Sequence, residues 1–175
     1  MEKDTKILIE GCRQGGRSAQ RKLYERYARL LFATCYRILA NTEEAEEAMQ
    51  DSFLKILTHL DQYHEEQSLE GWMRKVAIHT AIDYVRQRSE EWELLTDNLP
   101  DLAEEEEEEE PRYTIEQVRK AMEQLPNGYR VILSLYLFEG YDMEEIAQIL
   151  HLKPASVRSQ YLRGKRKLIE WIKTH

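Results

Sequence analysis

The chain has 175 residues, 42% of them hydrophobic, and a formal net charge of −8. That length suits one or two small domains with modest cores, and no apolar run reaches the ~18 residues a membrane span needs. The polar N-terminus lacks an export-signal core, and Cys12 and Cys35 form neither a CxxC pair nor a zinc spacing, so a reduced, cytoplasmic protein is expected.

The charge is unevenly spread. Residues 1–88 carry 14 basic and 14 acidic side chains, residues 89–113 one and 12, and residues 114–175 ten and seven. The partition predicts an all-α protein of two small helical domains, 1–88 and 114–175, joined by a flexible acidic linker at 89–113.

Residues 4–40 read as helical, interrupted near Gly15 and Gly16, with Ser18 available to cap the segment after the break. Leu23, Tyr27, Leu30, Leu31, Thr34 and Ile38 keep a helical period, and Tyr24, Tyr27, Phe32 and Tyr36 read as packing residues. Asn41 and Glu44 form a capping box that opens a helix with an inward stripe of Ala45, Ala48, Met49, Ser52, Phe53 and Ile56. The opposite face is acidic and polar: Glu43, Glu46, Glu47, Gln50 and Asp51. Residues 61–70 lack periodicity and read as a loop. A long helix comes next, to about residue 88, with Met73, Ala77, Ala81 and Tyr84 facing a core. Beside them Trp72, Val76, His79, Asp83 and Arg86 form a second stripe, and Arg74, Lys75, Arg86 and Arg88 make the helix basic. Cations beside an aromatic suit unpaired nucleic acid, though Trp72 also fits a buried position.

The linker holds seven consecutive glutamates at 104–110, whose mutual repulsion opposes packing. Thr114 and Gln117 make a further capping box, with Ile115, Val118, Met122 and Leu125 inward and Pro126, Asn127 and Gly128 breaking the helix. Residues 129–138 form a short, strongly apolar helix ended by Glu139 and Gly140. Asp142 and Glu145 cap the next helix, whose stripe is Met143, Ile146, Ala147 and Leu150. Only His151, Leu152 and Lys153 connect it to a helix that Pro154 begins, with Val157, Tyr161, Gly164 and Leu168 inward. Its outward face carries Ala155, Ser156, Arg158, Ser159, Gln160, Arg163, Arg166 and Lys167. A basic face alone is more often the mark of a solvated helical hairpin. Capping, turn length and one-sided basicity together favour a helix-turn-helix, whose second helix enters a major groove.

The HExxH, GxxxxGK[ST], GxGxxG and GxSxG motifs are all missing, and the carboxylates sit on solvated faces. The expectation is no enzymatic activity, no cofactor, no metal and no small-molecule substrate.

Three blocks in sequence carry a resemblance: EEAEEAMQDSFLKIL, SLEGWMRKVAIHTAIDYVRQR, and VRKAMEQLPNGYRVILSLYLFEGYDMEEIAQILHLKPASVRSQYLRGKRKL. They resemble regions 2.2, 2.3 to 2.4, and 4 of the extracytoplasmic-function (ECF) sigma factors of bacterial RNA polymerase, over nearly the whole chain. The resemblance implies a sigma factor that binds core RNA polymerase and directs promoter-specific initiation. It implies that Glu47, Gln50 and Asp51 dock on the clamp coiled coil of the polymerase's largest subunit. Arg74, Lys75, His79 and Arg86 would serve the minus-ten element, with the loop at 61–68 helping to capture a flipped base. Pro154, Ala155, Ser156, Arg158, Ser159, Arg163, Arg166 and Lys167 would serve the minus-thirty-five element. A cognate anti-sigma factor is also implied.

The chain departs from the family's pattern at His79, where Asn is usual, at Lys153, where a Ser or Thr cap is common, and in its acidic linker. That linker reads either as a nucleic-acid mimic in a basic polymerase channel or as a solvated spacer. Two other functions fit parts of the chain. One is an operator-binding regulator with residues 1–88 sensing or dimerising. The other is a helical adaptor for proteins alone, which the seven basic and one acidic residues of 153–173 oppose.

Overall fold

The computed structural model describes residues 2–88 and 112–175. Most of the expected linker, with the glutamate run at 104–110, lies outside the described residues. Among the described residues every regular element is helical, as the periodicities predict. The chain forms two compact units, Met1–Tyr84 and Val85–His175.

The first unit begins with α1 (Glu2–Arg13) and α2 (Arg17–Leu39). Gly15 turns the chain between them at φ 75°, where a side chain is strained. Gly16 occupies the N-cap of α2 without a side-chain bond, so Ser18 lies inside the helix and does not cap it. Gly11 lets the two helices approach, because a Cβ there would sit 2.8 Å from the Ala19 Cβ. Ala40, left-handed at φ 48°, ends α2, and the Asn41 side chain accepts the Glu44 N–H at 3.0 Å to start α3 (Thr42–Thr58). The buried stripe of α3 is the expected one: Ala45, Ala48, Met49, Ser52, Phe53 and Ile56.

A 3₁₀ turn at Leu60–Gln62 leads through the loop to α4 (Leu69–Arg88). Polar links seat α4 on its neighbours: the Cys35 thiol approaches the Ala77 carbonyl at 3.9 Å, and Lys55 Nζ donates to Thr80 Oγ1 at 3.1 Å. Its core face is broader than Met73, Ala77 and Ala81, since Ile78, Ile82 and Val85 are buried as well and Tyr84 is only half-buried. Packing on two helices explains the width, since one narrow stripe meets only one partner. Leu23, Leu31, Ile38, Ile56, Met73, Ile78 and Ile82 are essentially inaccessible, each burial stabilising by ~1.5–3 kcal/mol. Of the aromatics read as packing residues, Tyr24 meets Phe53 edge-on at 5.1 Å and Phe32 stacks near Tyr36.

The second unit contains α5 (Ile115–Gln124), α6 (Asn127–Leu137), α7 (Met143–Leu150) and α8 (Pro154–Thr174). Both expected capping boxes form, Thr114 with Gln117 and Asp142 with Glu145. Ile115 is 84% exposed, contrary to its inward assignment, because the apolar face of α5 begins only a turn later with half-buried Val118 and continues through Ala121, Met122 and Leu125. The expected break falls at Leu125 and Pro126, and with Pro126 as N-cap the next helix already begins at Asn127, two residues before its expected start. A buried arginine makes this possible. Arg130 Nη1 donates to the Leu125 carbonyl at 2.8 Å, and its Nη2 binds the Asn127 side chain.

α8 is the axis of the unit, packing against α5, α6 and α7. Leu133, Leu168 and Ile172 join Ala121, Met122 and Leu125 in its core. At Gly164 the α6 and α8 backbones come close: an added Cβ would meet the Tyr129 Cβ at 3.1 Å and Leu133 Cδ1 at 3.2 Å. Between α7 and α8, His151 is left-handed at φ 56° and Leu152 N–H returns to the Ala147 carbonyl at 3.0 Å. This closes α7 and frees Pro154 to begin α8 at its first position.

Candidate nucleic-acid interface

On α8 the chain offers cations beside small residues. Pro154, Ala155, Arg158, Arg166 and Lys167 are exposed, while Ser156 and Arg163 are half-buried. Ser159 and Gln160 are buried, 4% and 0% exposed, so their outward assignment is corrected. Gln160 is three residues after Val157 and four before Gly164, on the inward stripe itself, and Ser159 is buried because three helices cover α8 and occupy more than that stripe. Taking 100° per residue, Ala155 and Arg166 stand opposite the core and Arg158 flanks them, with half-buried Lys165 beside Arg158 and Lys167 half a turn away from it. Lys165 does not stand out in the sequence, and this azimuth is the signal that finds it. No side chain caps the N-terminus of α8, so N–H groups of its first turn point out of the helix end.

On α4 an outward stripe runs through Trp72, Lys75, His79, Asp83 and Arg86, spaced by three and four residues. Lys75, His79 and Asp83 are exposed, and Trp72 and Arg86 half-buried. Trp72 leans on Tyr63, ring centroids 5.6 Å apart, which is packing and not a free platform. Arg74 stands about a quarter-turn from this stripe and pairs with Glu70 at 2.8 Å, so the structure does not bring it together with the other three candidates.

The loop before α4 is anchored by buried Leu60, Tyr63 and Leu69, and its remaining side chains at 61–68 are exposed. Tyr63 Oη donates to the Gln67 carbonyl at 2.9 Å, and Ser68 Oγ accepts the Gly71 N–H at 3.3 Å. Together with α1 and α2 it encloses a cavity of about 630 Å³, bordered by Lys6, Arg26, Tyr27, Tyr63, Glu65 and Gln67.

A third surface lies on α3. Glu47, Gln50 and Asp51 are exposed on one stripe. Leu54, 63% exposed, continues it one turn on. It escapes notice in the sequence because a leucine in an apolar helix reads as core. Asp51 Oδ2 accepts a hydrogen bond of 2.5 Å from Tyr84 Oη on α4. That bond to a carboxylate, then burial, pushes the Tyr84 phenol up to about 12. Among the described residues no group of three or more His, Cys, Asp or Glu could hold a metal ion, and no helix is long and apolar enough to cross a membrane.

Comparison with known proteins joins these surfaces. Sigma-70 region 2 matches residues 23–91, and sigma-70 region 4 matches residues 115–168, in the order the sequence suggested. The chain belongs to the ECF sigma factors of the sigma-70 family. The ECF sigma factor SigW of Bacillus subtilis is 23% identical over 96% of both chains. SigZ of the same organism is 29% identical over 70% of this chain and 69% of its own. Two solved structures share the fold at 18% identity. The sigma factor RpoE of Bartonella quintana, in complex with the anti-sigma factor NepR, has a TM-score of 0.57 over 87% of this chain and 96% of its own. CnrH, in complex with the cytosolic domain of CnrY, has a TM-score of 0.54 over 96% of both. The sigma factor function expected from the three sequence blocks is thereby established.

Proposed function

We propose that the three surfaces divide the work of initiation. Residues 1–88 form the domain that docks on polymerase and takes the minus-ten element, residues 114–175 read the minus-thirty-five element, and the acidic segment between them is their linker. The α3 stripe of Glu47, Gln50 and Asp51, extended by Leu54, docks on the clamp coiled coil of core RNA polymerase. Lys75, His79 and Arg86 hold the minus-ten strand, with the loop at 61–68 capturing a flipped base and Arg74 contributing less because Glu70 neutralises it. Pro154, Ala155, Arg158 and Arg166 face the minus-thirty-five major groove, with Lys165 added and Ser156 and Arg163 at its edge, while Lys167 drops out because it lies half a turn of the helix from Arg158. Ser159 drops out of this set because it is buried. The protein has no catalytic step of its own and works in the cytoplasm, where polymerase and promoters are. Its docking and reading faces suit a cognate anti-sigma factor, as the partners of the two solved relatives do.

The observation that carries this reading is the exposed α3 stripe, charged at Glu47 and Asp51 and apolar at Leu54, in a unit separate from the basic face of α8. A regulator that binds an operator alone has no use for both. Each DNA face is small, so its own binding is weak and salt-dependent, and mounting both on one polymerase raises the effective concentration of the second contact.

The test is reconstituted transcription with core polymerase and a promoter library. Leu54→Asp should abolish initiation through lost polymerase affinity. Arg158→Ala should cost ~1–3 kcal/mol of promoter recognition with polymerase affinity intact. Equal loss of both properties in the Arg158 variant would reject the assignment of α8. Tight operator binding without polymerase would point to the regulator instead.

A further inference from the structure

α1 precedes the residues matched by sigma-70 region 2, which begin at 23, yet it is bonded to the loop after α3. Arg13, the last residue of α1, donates from Nε and Nη2 to the Leu60 carbonyl at 3.2 and 2.9 Å. Its Nη2 also donates to the Tyr63 carbonyl at 3.0 Å. Earlier in α1, Lys6 Nζ pairs with Glu65 at 2.6 Å.

These bonds hold the loop at the points where it could flex. The Leu60 carbonyl also accepts the Tyr63 N–H at 3.3 Å, and the planar guanidinium adds a second tie to it while reaching the Tyr63 carbonyl at the same time. With Leu60 and Tyr63 fixed at their carbonyls, the chain direction across Asp61 and Gln62 is set. Tyr63 then fixes Gln67 through its hydroxyl, and Ser68 starts α4. Only His64, Glu65 and Glu66 remain between these fixed points, and Glu65 is held by Lys6. A loop held in one arrangement rejects a misfitting group at full cost, whereas a loose one rearranges around it.

We propose that Arg13 is a positioning residue for minus-ten selectivity: through the Leu60 and Tyr63 carbonyls, α1 sets the shape of the loop that discriminates between bases. This rests on the reading of 61–68 as the base-capturing loop. Arg13 touches no DNA. Its effect falls on the preference between bases, while the α3 docking stripe lies beyond its bonds.

The experiment uses holoenzyme made from the full chain and core polymerase, on templates carrying each of the four bases at each minus-ten position. The readout is the ratio of initiation on the preferred base to that on the next best. Arg13→Gln should lower this ratio roughly fivefold, the scale of one net hydrogen bond. Arg13→Lys, a point donor in place of a fork, should lie between. Lys6→Ser, a change on an exposed surface, should lower the ratio less, and polymerase affinity should stay at the wild-type value in all three. A wild-type ratio in Arg13→Gln, with a lowered ratio in the loop variants Gln62→Ala or Gln67→Ala, would refute Arg13's role and leave the loop reading standing. A wild-type ratio in every variant would remove the loop reading and this proposal together. A drop in polymerase affinity equal to the drop in initiation would reduce Arg13 to a structural support.

Discussion

The approach of α6 to α8 at Gly164 allows opposite outcomes from two similar substitutions. Alanine adds one Cβ, 3.1 Å from the Tyr129 Cβ and 3.2 Å from Leu133 Cδ1, so those neighbours must give by a few tenths of an ångström. Overpacking of this kind costs ~1–2 kcal/mol, and replacing glycine in a helix interior returns ~1 kcal/mol. The two nearly cancel, and Gly164→Ala should lie within about 1 kcal/mol of wild type. Valine adds two methyls in the same gap, where Tyr129 and Leu133 already touch, and its branched Cβ recovers less helix propensity. Gly164→Val should therefore destabilise the unit by about 3 kcal/mol. In a unit of this size that corresponds to a fall of roughly 12–24 °C in Tm. Hydrogen exchange on peptides from α6 and α8 localises the effect, and those from α2 and α3 serve as the internal control. Promoter recognition should fall with it, because α8 loses its seat while α3 is untouched. Wild-type protection of α6 and α8 in Gly164→Val would refute the reasoning, since the close approach would then not constrain the unit.

Two further outcomes concern the polar contacts. The Tyr84 phenol titrates at about 12 when folded against an ordinary value near 10, so its bond to Asp51 stabilises fully below pH ~10 and is lost as pH rises through 12. The stability gap between wild type and Tyr84→Phe, measured by urea unfolding, should therefore shrink across that window, and a gap constant from pH 8 to 12 would count against the bond. Arg130→Met leaves the Leu125 carbonyl without its guanidinium donor at the turn into α6 and should destabilise by ~2–3 kcal/mol in urea titration, with no loss expected if that carbonyl finds water instead.

The features legible in the sequence are local ones. The capping boxes at Thr114 and Asp142 and the stripe on α3 involve residues within a turn or two of one another, and pattern is enough for those. Several misreadings have distant causes. Ser159 looks outward on a helical wheel, but a third covering helix buries it, whereas Gln160 sits on the inward stripe between Val157 and Gly164 and reads as outward only by its polarity. The break before α6 is legible, and only its first two residues, Asn127 and Gly128, are missed, where Arg130 reaches back to the Leu125 carbonyl and the Asn127 side chain. Ile78 and Ile82 lie beside the stripe that spacing favours, and only the second packing partner of α4 recruits them. Arg13 meets Leu60 and Tyr63 across 47 and 50 residues, a distance that no periodicity spans. The surfaces obey the same division: the acidic α3 face is visible in one heptad, whereas Leu54 is distinguished only by what does not cover it.

α7 is eight residues, two turns, and a helix that short has no standing in water by itself. Its capping box and its three buried residues, Ile146, Ala147 and Leu150, hold it only while α6 and α8 are in place. The face of α8 proposed to read DNA is thus an all-or-none property of the unit, present with α7 seated and gone when it is displaced. An inhibitor of this protein has no need to cover the cations of α8. Wedging α7 from its seat is enough, and the target for that wedge is three apolar side chains instead of a charged groove.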